Sequence, residues 1–364
     1  MGYEVDFMPV GEGKRGGDAI SLRYGNLNGD RKEQIVVVID GGTKESGEKL
    51  VANINQWYKT NEVDYAVSTH LHADHSSGLS VVLEKMKVKK LLMHRPWNHA
   101  SDIKNFFQNG RLTVTGLKDS LKASLENSCE LEKIAQRKGI PIVEPFSDNA
   151  GVIGDSLVVL SPSVKFYEAL LPHYVETPEA KEPVGVFEKF YEGAKEAVRW
   201  LQENWGIETL KDPEENKVNA ENNSSVVLLL RVDGNQILFT GDAGVEALNE
   251  AIAKASSLGI DLSKVSRIQI PHHGSKHNVG PTILNYLIGP KNNEEKKLKT
   301  VYISVPKEGD PKHPSRKVVN ALKRRGADVY VTKGNTLHHW IDAPERAGWN
   351  SAVPLGFYNE VEED

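Results

Sequence analysis

The chain has 364 residues, of which 39% are hydrophobic and 26% charged, a composition that fits a soluble globular protein of one elaborated domain or two smaller ones. Its net charge of −5 argues against a chain-wide basic surface for nucleic acid, and no uncharged apolar run approaches the ~20 residues needed to span a bilayer. The single cysteine, Cys129, excludes an intrachain disulfide, and no basic-then-apolar leader is visible, so a cytoplasmic, reducing location without membrane contact is expected.

Residues 5–11 open as a strand and run into a glycine-rich loop, 11–17; a second strand covers 18–25. After a turn at 26–32, the continuous apolar run 34–39 reads as a strand buried on both faces, ending in Asp40-Gly41-Gly42. Residues 46–60 carry helical periodicity through Leu50, Ile54 and Trp57. The short strand 63–67 follows and delivers the chain to Ser68-Thr69-His70-Leu71-His72-Ala73-Asp74-His75.

Three histidines and an aspartate within six residues form a turn able to aim several side chains at one point. Imidazole and carboxylate are the donors that zinc, manganese and iron accept, and the absence of cysteine excludes a closed Cys-rich zinc site here. This run is expected to hold metal, two ions rather than one.

Beyond Gly78 a helix is expected over about 79–86, then a strand at 89–93 ending in His94-Arg95-Pro96. Residues 100–138 read as largely helical, and 140–143 and 156–160 as short strands. The segment 163–221 holds 7 basic and 13 acidic residues, leaving 38 and 37 elsewhere, so the acidity belongs to this segment and the body is near neutral. It interrupts a β-rich pattern, with a helix expected over 186–202, and reads as an insertion that packs on the body, with a lid or a partner-protein surface as alternatives.

The β pattern resumes as a hairpin, 225–230 and 236–240 around Asp233-Gly234-Asn235, and ends in Gly241-Asp242. A helix through Leu248 and Ile252 precedes the strand 267–271, which stops at His272-His273-Gly274-Ser275. A strand at 300–305, a helix at 315–325 and a strand at 327–332 complete the pattern. Two β-rich halves, each followed by helices, predict an α/β fold of the αββα sandwich type. It is expected as a single domain over 1–364, with helical insertions at about 95–150 and 163–221.

The order H-x-H-x-D-H, Thr240-Gly241-Asp242 and Pro271-His272-His273-Gly274-Ser275 resembles the metallo-beta-lactamase fold superfamily. Within it the chain is most similar to the hydrolase domain of ComEC-type competence proteins and related stand-alone hydrolases. Further matching pieces are residues 5–11, Gly17-Asp18-Ala19-Ile20, Ile39-Asp40-Gly41-Gly42, Asn222-Asn223-Ser224-Ser225-Val226 and His313-Pro314. Those competence proteins are membrane permeases, and nothing comparable is visible here, so DNA uptake is not implied.

The resemblance implies that His70 and His72 bind one divalent ion, Zn²⁺ or Mn²⁺, and that Asp74 and His75 bind a second. Asp242 would bridge both, and one of His272 and His273 would complete the second site. His272 is favoured as that ligand and His273 as a substrate-side residue, although strand alternation leaves the choice open. Many relatives place another histidine in the first site, where this chain has Asn222-Asn223; His94 is the candidate replacement, with a substrate or solvent role as its alternative. Asp40 is expected to orient a ligand histidine rather than bind metal.

Two such ions, ~3.5–4 Å apart, would lower the pKa of a bridging water towards ~7 and deliver hydroxide to a carbonyl or phosphorus. Asp74 would orient the water, and His273, Lys276, His277 or His313 would protonate the leaving group or hold a phosphate. Ser275 is expected as a turn residue, not a nucleophile. A phosphodiesterase, above all a nuclease on accessible nucleic acid, is the favoured expectation. Hydrolysis of a small ester, lactone or phosphocholine-like group is the enzymatic alternative, and a metal-stabilised scaffold binding a partner protein through 163–221 is the non-enzymatic one.

Overall fold

The computed structural model describes residues 1–12, 16–104, 113–149, 153, 156–174, 199–214, 217–291, 299–309 and 312–363. Its strands in chain order are β1 (Gly2–Phe7), β2 (Ala19–Gly25), β3 (Gln34–Gly41), β4 (Glu62–Val67), β5 (Lys87–Leu92), β6 (Ile142–Val143), β7 (Leu157–Ser161), β8 (Trp200–Gln202), β9 (Val227–Val232), β10 (Asn235–Phe239), β11 (Arg267–Gln269), β12 (Thr300–Ile303), β13 (Asp328–Val331), β14 (Leu337–Ile341) and β15 (Glu360–Glu362). One sheet has the order β14-β1-β2-β3-β4-β5-β6 and the other β13-β12-β11-β10-β9-β7, while β15 and β8 form a small separate pair.

Strand alternation explains the layers. Along β3, Val37 and Ile39 enter the core between the sheets, while Val36 and Val38 face the helices behind it. In β10, Ile237 and Phe239 point to the same inter-sheet core and Leu238 to the opposite helical layer. A period of two, apolar at every position, therefore buries both faces of each central strand. Helices cover the outer faces, which gives the expected αββα sandwich.

Strand direction decides where the chemistry collects. β3, β4 and β5 run parallel, as do β10, β11 and β12, and β2 runs antiparallel to β3. The start of β2 and the carboxyl ends of β3 and β4 thus share one edge. Such edges are where open parallel sheets take their ligands.

Several expectations shift in detail. The helix after the histidine run, α2 (Ala73–Lys85), begins inside that run and not beyond Gly78, so Asp74 and His75 occupy its first turn. Gly78 sits within it because α2 presses on the end of β3; a Cβ there would overlap the Gly41 carbonyl oxygen. The helix expected at 46–60 becomes α1 (Lys44–Asn53) followed by a π turn, Ile54–Tyr58. Of the helix expected at 186–202, residues 186–198 lie outside the described residues, and Trp200–Gln202 is strand β8, paired with β15. Within the insertion expected at 95–150, β6 extends the first sheet beside β5. Among the described residues no helix is long and apolar enough to cross a membrane.

Candidate metal centre

Five short segments bring donor atoms to the shared edge: the end of β3 (Asp40), the turn after β4 with the start of α2 (His70 to His75), the start of β2 (Asp18), the turn after β10 (Asp242) and the turn after β11 (His272, His273). Backbone strain marks two of them. Asp40 has φ 54°, and His272 and His273 have φ 48° and 55°, the left-handed region that non-glycine residues avoid. Strain of this kind persists where the surrounding structure over-determines a functional geometry.

Hydrogen bonds fix which ring nitrogen each histidine offers. Asp40 accepts from Thr69 N at 2.8 Å and from Thr69 Oγ1 at 2.6 Å, and its Oδ2 lies 2.8 Å from His75 Nδ1. His75 Nδ1–H therefore donates to Asp40, which turns Nε2 towards Asp242. Because the Thr69 hydroxyl spends its proton on Asp40, it accepts from His70 Nδ1 at 3.1 Å, leaving His70 Nε2 as a lone pair. His272 Nδ1 donates to Asn278 Oδ1 and His273 Nδ1 to the Ser304 carbonyl, both at 3.0 Å. Four imidazoles are thus oriented through Nδ1, which turns Nε2 into the site, the arrangement that prepares histidine for a metal.

Asp242 lies in the middle. Its Oδ2 is 3.7 Å from His70 Nε2 and 3.8 Å from His272 Nε2, while Oδ1 is 3.5 Å from His75 Nε2. The backbone N–H of Asp242 donates to Ser225 Oγ, and Asn278 Nδ2 donates to its carbonyl. Burial alone would raise the Asp242 carboxyl, but the imidazoles of His75, His272, His70 and His273 hold it far below the usual carboxylate range. Burial and the neighbouring His75 push His70 well below the ordinary histidine value, and burial lowers His273 to about 4. His75 moves the other way: against the effect of burial, Asp242 and Asp40 hold it well above that value. Asp18, enclosed beside these groups, is pushed up to about 7 by burial and by Asp242.

The donor set fits divalent metal. His75 Nε2, Asp242 Oδ1 and Asp18 Oδ1 are buried atoms with no hydrogen-bond partner, an arrangement that is costly unless a cation meets them. His70 Nε2 and His72 Nδ1 stand 3.2 Å apart. Two nitrogens bound to one ion at ~2.0–2.1 Å in tetrahedral array would be separated by roughly 3.3 Å. Ligand atoms lie within 4.8 Å of one another in the sets His70/His72/Asp242, Asp74/His75/His273, Asp18/His75/Asp242 and Asp40/His70/His75. Asp40 is already committed to Thr69 and His75, which leaves it in the orienting role.

Two expected placements differ. His273, rather than the favoured His272, is grouped with Asp74 and His75; His272 lies on the face of Asp242 that looks towards His70. The left-handed kink turns consecutive side chains to different sides, which strand alternation could not anticipate. His94, expected as a replacement ligand of the first site, stands outside the four sets at the sheet edge, and its Nε2 is likewise buried without a hydrogen-bond partner. After β5 the chain turns away, and the His94 ring stacks on Tyr167 at 4.5 Å and packs on Phe146 at 4.7 Å. Burial lowers it to about 3.

The residues expected on the substrate side stand near the histidine pair. The His313 ring is 5.9 Å from that of His272 and 6.5 Å from that of His273, and Lys276 and His277 follow in the same loop. Ser275 is a buried turn residue whose N–H donates to the His272 carbonyl, as expected. Asn223 braces the Asp242 turn by accepting from Gly244 N at 3.1 Å, and Val226 N donates to the Thr69 carbonyl. Sequence reasoning gave no role to Asn278, Ser304 or Gln269, whose contacts arise only on folding. Asp18 lay in a matched motif but likewise received none.

The family model described as Metallo-beta-lactamase superfamily matches residues 31–283. ComE operon protein 3 of Bacillus subtilis (strain 168) is 31% identical over 123 residues, covering 34% of this chain and 14% of that protein's length. Among solved structures, a diphosphatase from the PhnP family aligns over 94% of this chain and 98% of its own, with TM-score 0.39 and 12% identity. The hydrolase AbOPH of the beta lactamase superfamily aligns over 71% and 72%, with TM-score 0.33 and 15% identity.

Proposed function

We propose that this chain, which belongs to the metallo-beta-lactamase superfamily and is a metal-binding hydrolase of it, cleaves phosphodiesters and acts as a nuclease on accessible nucleic acid. The observation that carries the two-ion reading is Asp242, whose one oxygen faces His70 and His272 while the other faces His75. A single carboxylate set between two groups of imidazoles is suited to holding two cations side by side.

Bound divalent ions would supply an acidified water as nucleophile and neutralise charge on the oxygen under attack. The residues of the chain do the rest. Asp40 and Thr69 fix His70 and His75, and Asn278 fixes His272 against Asp242, so the donors are preorganised before substrate arrives. Asp74, in the first turn of α2, is placed beside His75 and His273 and is positioned to accept a proton from the incoming water. Near the histidine pair, Lys276 and His313 are the groups to hold a phosphate oxygen or to give the leaving group its proton.

Support for a phosphodiester over a carbon ester comes from Lys276 in the loop after β11 and from the similarity to ComE operon protein 3, of whose length the match covers 14%. The test is cleavage of labelled single- and double-stranded DNA and RNA by metal-stripped protein given Mn²⁺ or Zn²⁺. The His70→Ala/Asp74→Ala double variant is the control. Cleavage lost in the variant supports the reading. Turnover of a lactone or ester without any cleavage of nucleic acid or bis-p-nitrophenyl phosphate would replace it with a small-molecule hydrolase.

A further inference from the structure

Asp18 is a buried carboxylate at this edge that the roles above leave unused. It stands just before β2 and is 2% exposed. Gly17 lets it come close: a Cβ on Gly17 would overlap the Asp74 carbonyl oxygen, so only glycine allows this strand start to press against the first turn of α2. Asp18 Oδ2 accepts from Gln269 Nε2 at 2.5 Å, and Gln269 Oε1 in turn accepts from Thr240 N, two residues before Asp242. Asp18 Oδ2 also lies 4.0 Å from His75 Nδ1. Its other oxygen, Oδ1, is buried without a hydrogen bond of ordinary geometry, and the Ser304 hydroxyl, equally buried, is the polar group beside the carboxyl that eases its burial.

One donor atom each from Asp18, His75 and Asp242 falls within 4.8 Å of the other two. From these placements we infer that Asp18 is a carboxylate ligand of the second metal position, shared with Asp74, His75, His273 and Asp242. That position would then hold three carboxylates and two imidazoles. An oxygen-rich set of five donors departs from the four-coordinate, nitrogen-rich sites zinc prefers and suits Mn²⁺. The Gln269 contact supplies what a ligating carboxylate needs, a donor on one oxygen that aims the other.

The assignment rests on the two-ion reading of the centre and is independent of the substrate. It is tested on the metal-stripped full chain by titrating Mn²⁺ and following the electron paramagnetic resonance signal of free Mn²⁺, with Zn²⁺ affinity taken from competition with a chromophoric chelator. The wild type is expected to bind two Mn²⁺. Asp18→Asn, nearly isosteric and able to keep the Gln269 contact, is expected to weaken one of them by about tenfold or more and Zn²⁺ by less. The metal-free variant should melt no lower than the wild type, because the buried negative charge is removed while the Gln269 contact is kept.

Wild-type Mn²⁺ affinity and stoichiometry in Asp18→Asn would overturn the assignment while leaving the centre intact. Equal weakening of both metals would overturn the preference for Mn²⁺, and a much lower melting temperature of the metal-free variant would make Asp18 a folding residue. A wild type that binds neither metal would overturn the centre itself, whatever its activity on nucleic acid.

Discussion

Asp40 and His75, thirty-five residues apart, meet at 2.8 Å through Oδ2 and Nδ1, and both are fully buried. Asp40 ends β3 and His75 lies in the first turn of α2, so this contact fixes the sheet edge and the metal-facing helix relative to one another. Asp40→Asn should keep the φ of 54°, which asparagine tolerates, but lose the charge that orients the imidazole. Metal affinity should fall roughly 10–100-fold, as read by chelator competition. An affinity equal to wild type would remove Asp40 from the centre.

Removal of metal should destabilise the protein. The orphaned atoms of His75 and Asp242 sit in a buried pocket, and an ion that binds the folded chain alone adds about 2.7 kcal/mol at a concentration 100 times its Kd. Thermal melts with chelator and then with added Mn²⁺ or Zn²⁺ should show a reversible rise. An unchanged melting temperature across the series would count against metal in this pocket.

His94→Phe should leave metal binding at the wild-type level, since the ring replaced is one that packs between Tyr167 and Phe146. A loss of one metal equivalent in this variant would return His94 to the first site.

Acid stability should depend on Asp6, whose carboxylate accepts hydrogen bonds from Asn53, Tyr58, His338 and Arg346 and from none of the metal-centre residues. Burial would raise its pKa, yet hydrogen bonds from His338 and Arg346 prevail and hold it at about 2, below the ordinary 3.8. A depressed carboxyl contributes stability above its unfolded pKa and loses it as pH falls through the folded one. The contribution is about 2 kcal/mol at neutral pH, lost between about pH 4 and pH 2. Denaturant melts of metal-free protein should steepen in that window for the wild type and less so for Asp6→Asn. Identical slopes for the two would contradict this account.

Gly78→Ala should destabilise the fold by roughly 1–3 kcal/mol, because the new methyl would meet the Gly41 carbonyl and force α2 away from β3. Chemical denaturation measures it directly. A neutral result would mean that the helix and the strand end can separate at little cost.

The sequence by itself determined much of this protein. Short apolar runs rich in β-branched residues, such as 34–39, read as strands buried on both faces, and donor residues at the ends of such strands collect on one edge once the strands run parallel. The gathering of His70, His72, Asp74, His75 and Asp242 at one edge was legible for that reason, together with the sandwich. Only tertiary structure decided the rest. The left-handed backbone at His272 and His273 leaves His272 facing Asp242 and groups His273 with Asp74 and His75, the turn after β5 carries His94 into an aromatic pocket, and contact between Asp18 and Gln269 joins residues 251 positions apart. Periodicity reports which face of an element a residue occupies. Which oxygen meets which nitrogen depends on contacts between elements remote in sequence, and these exist only after the two sheets have packed.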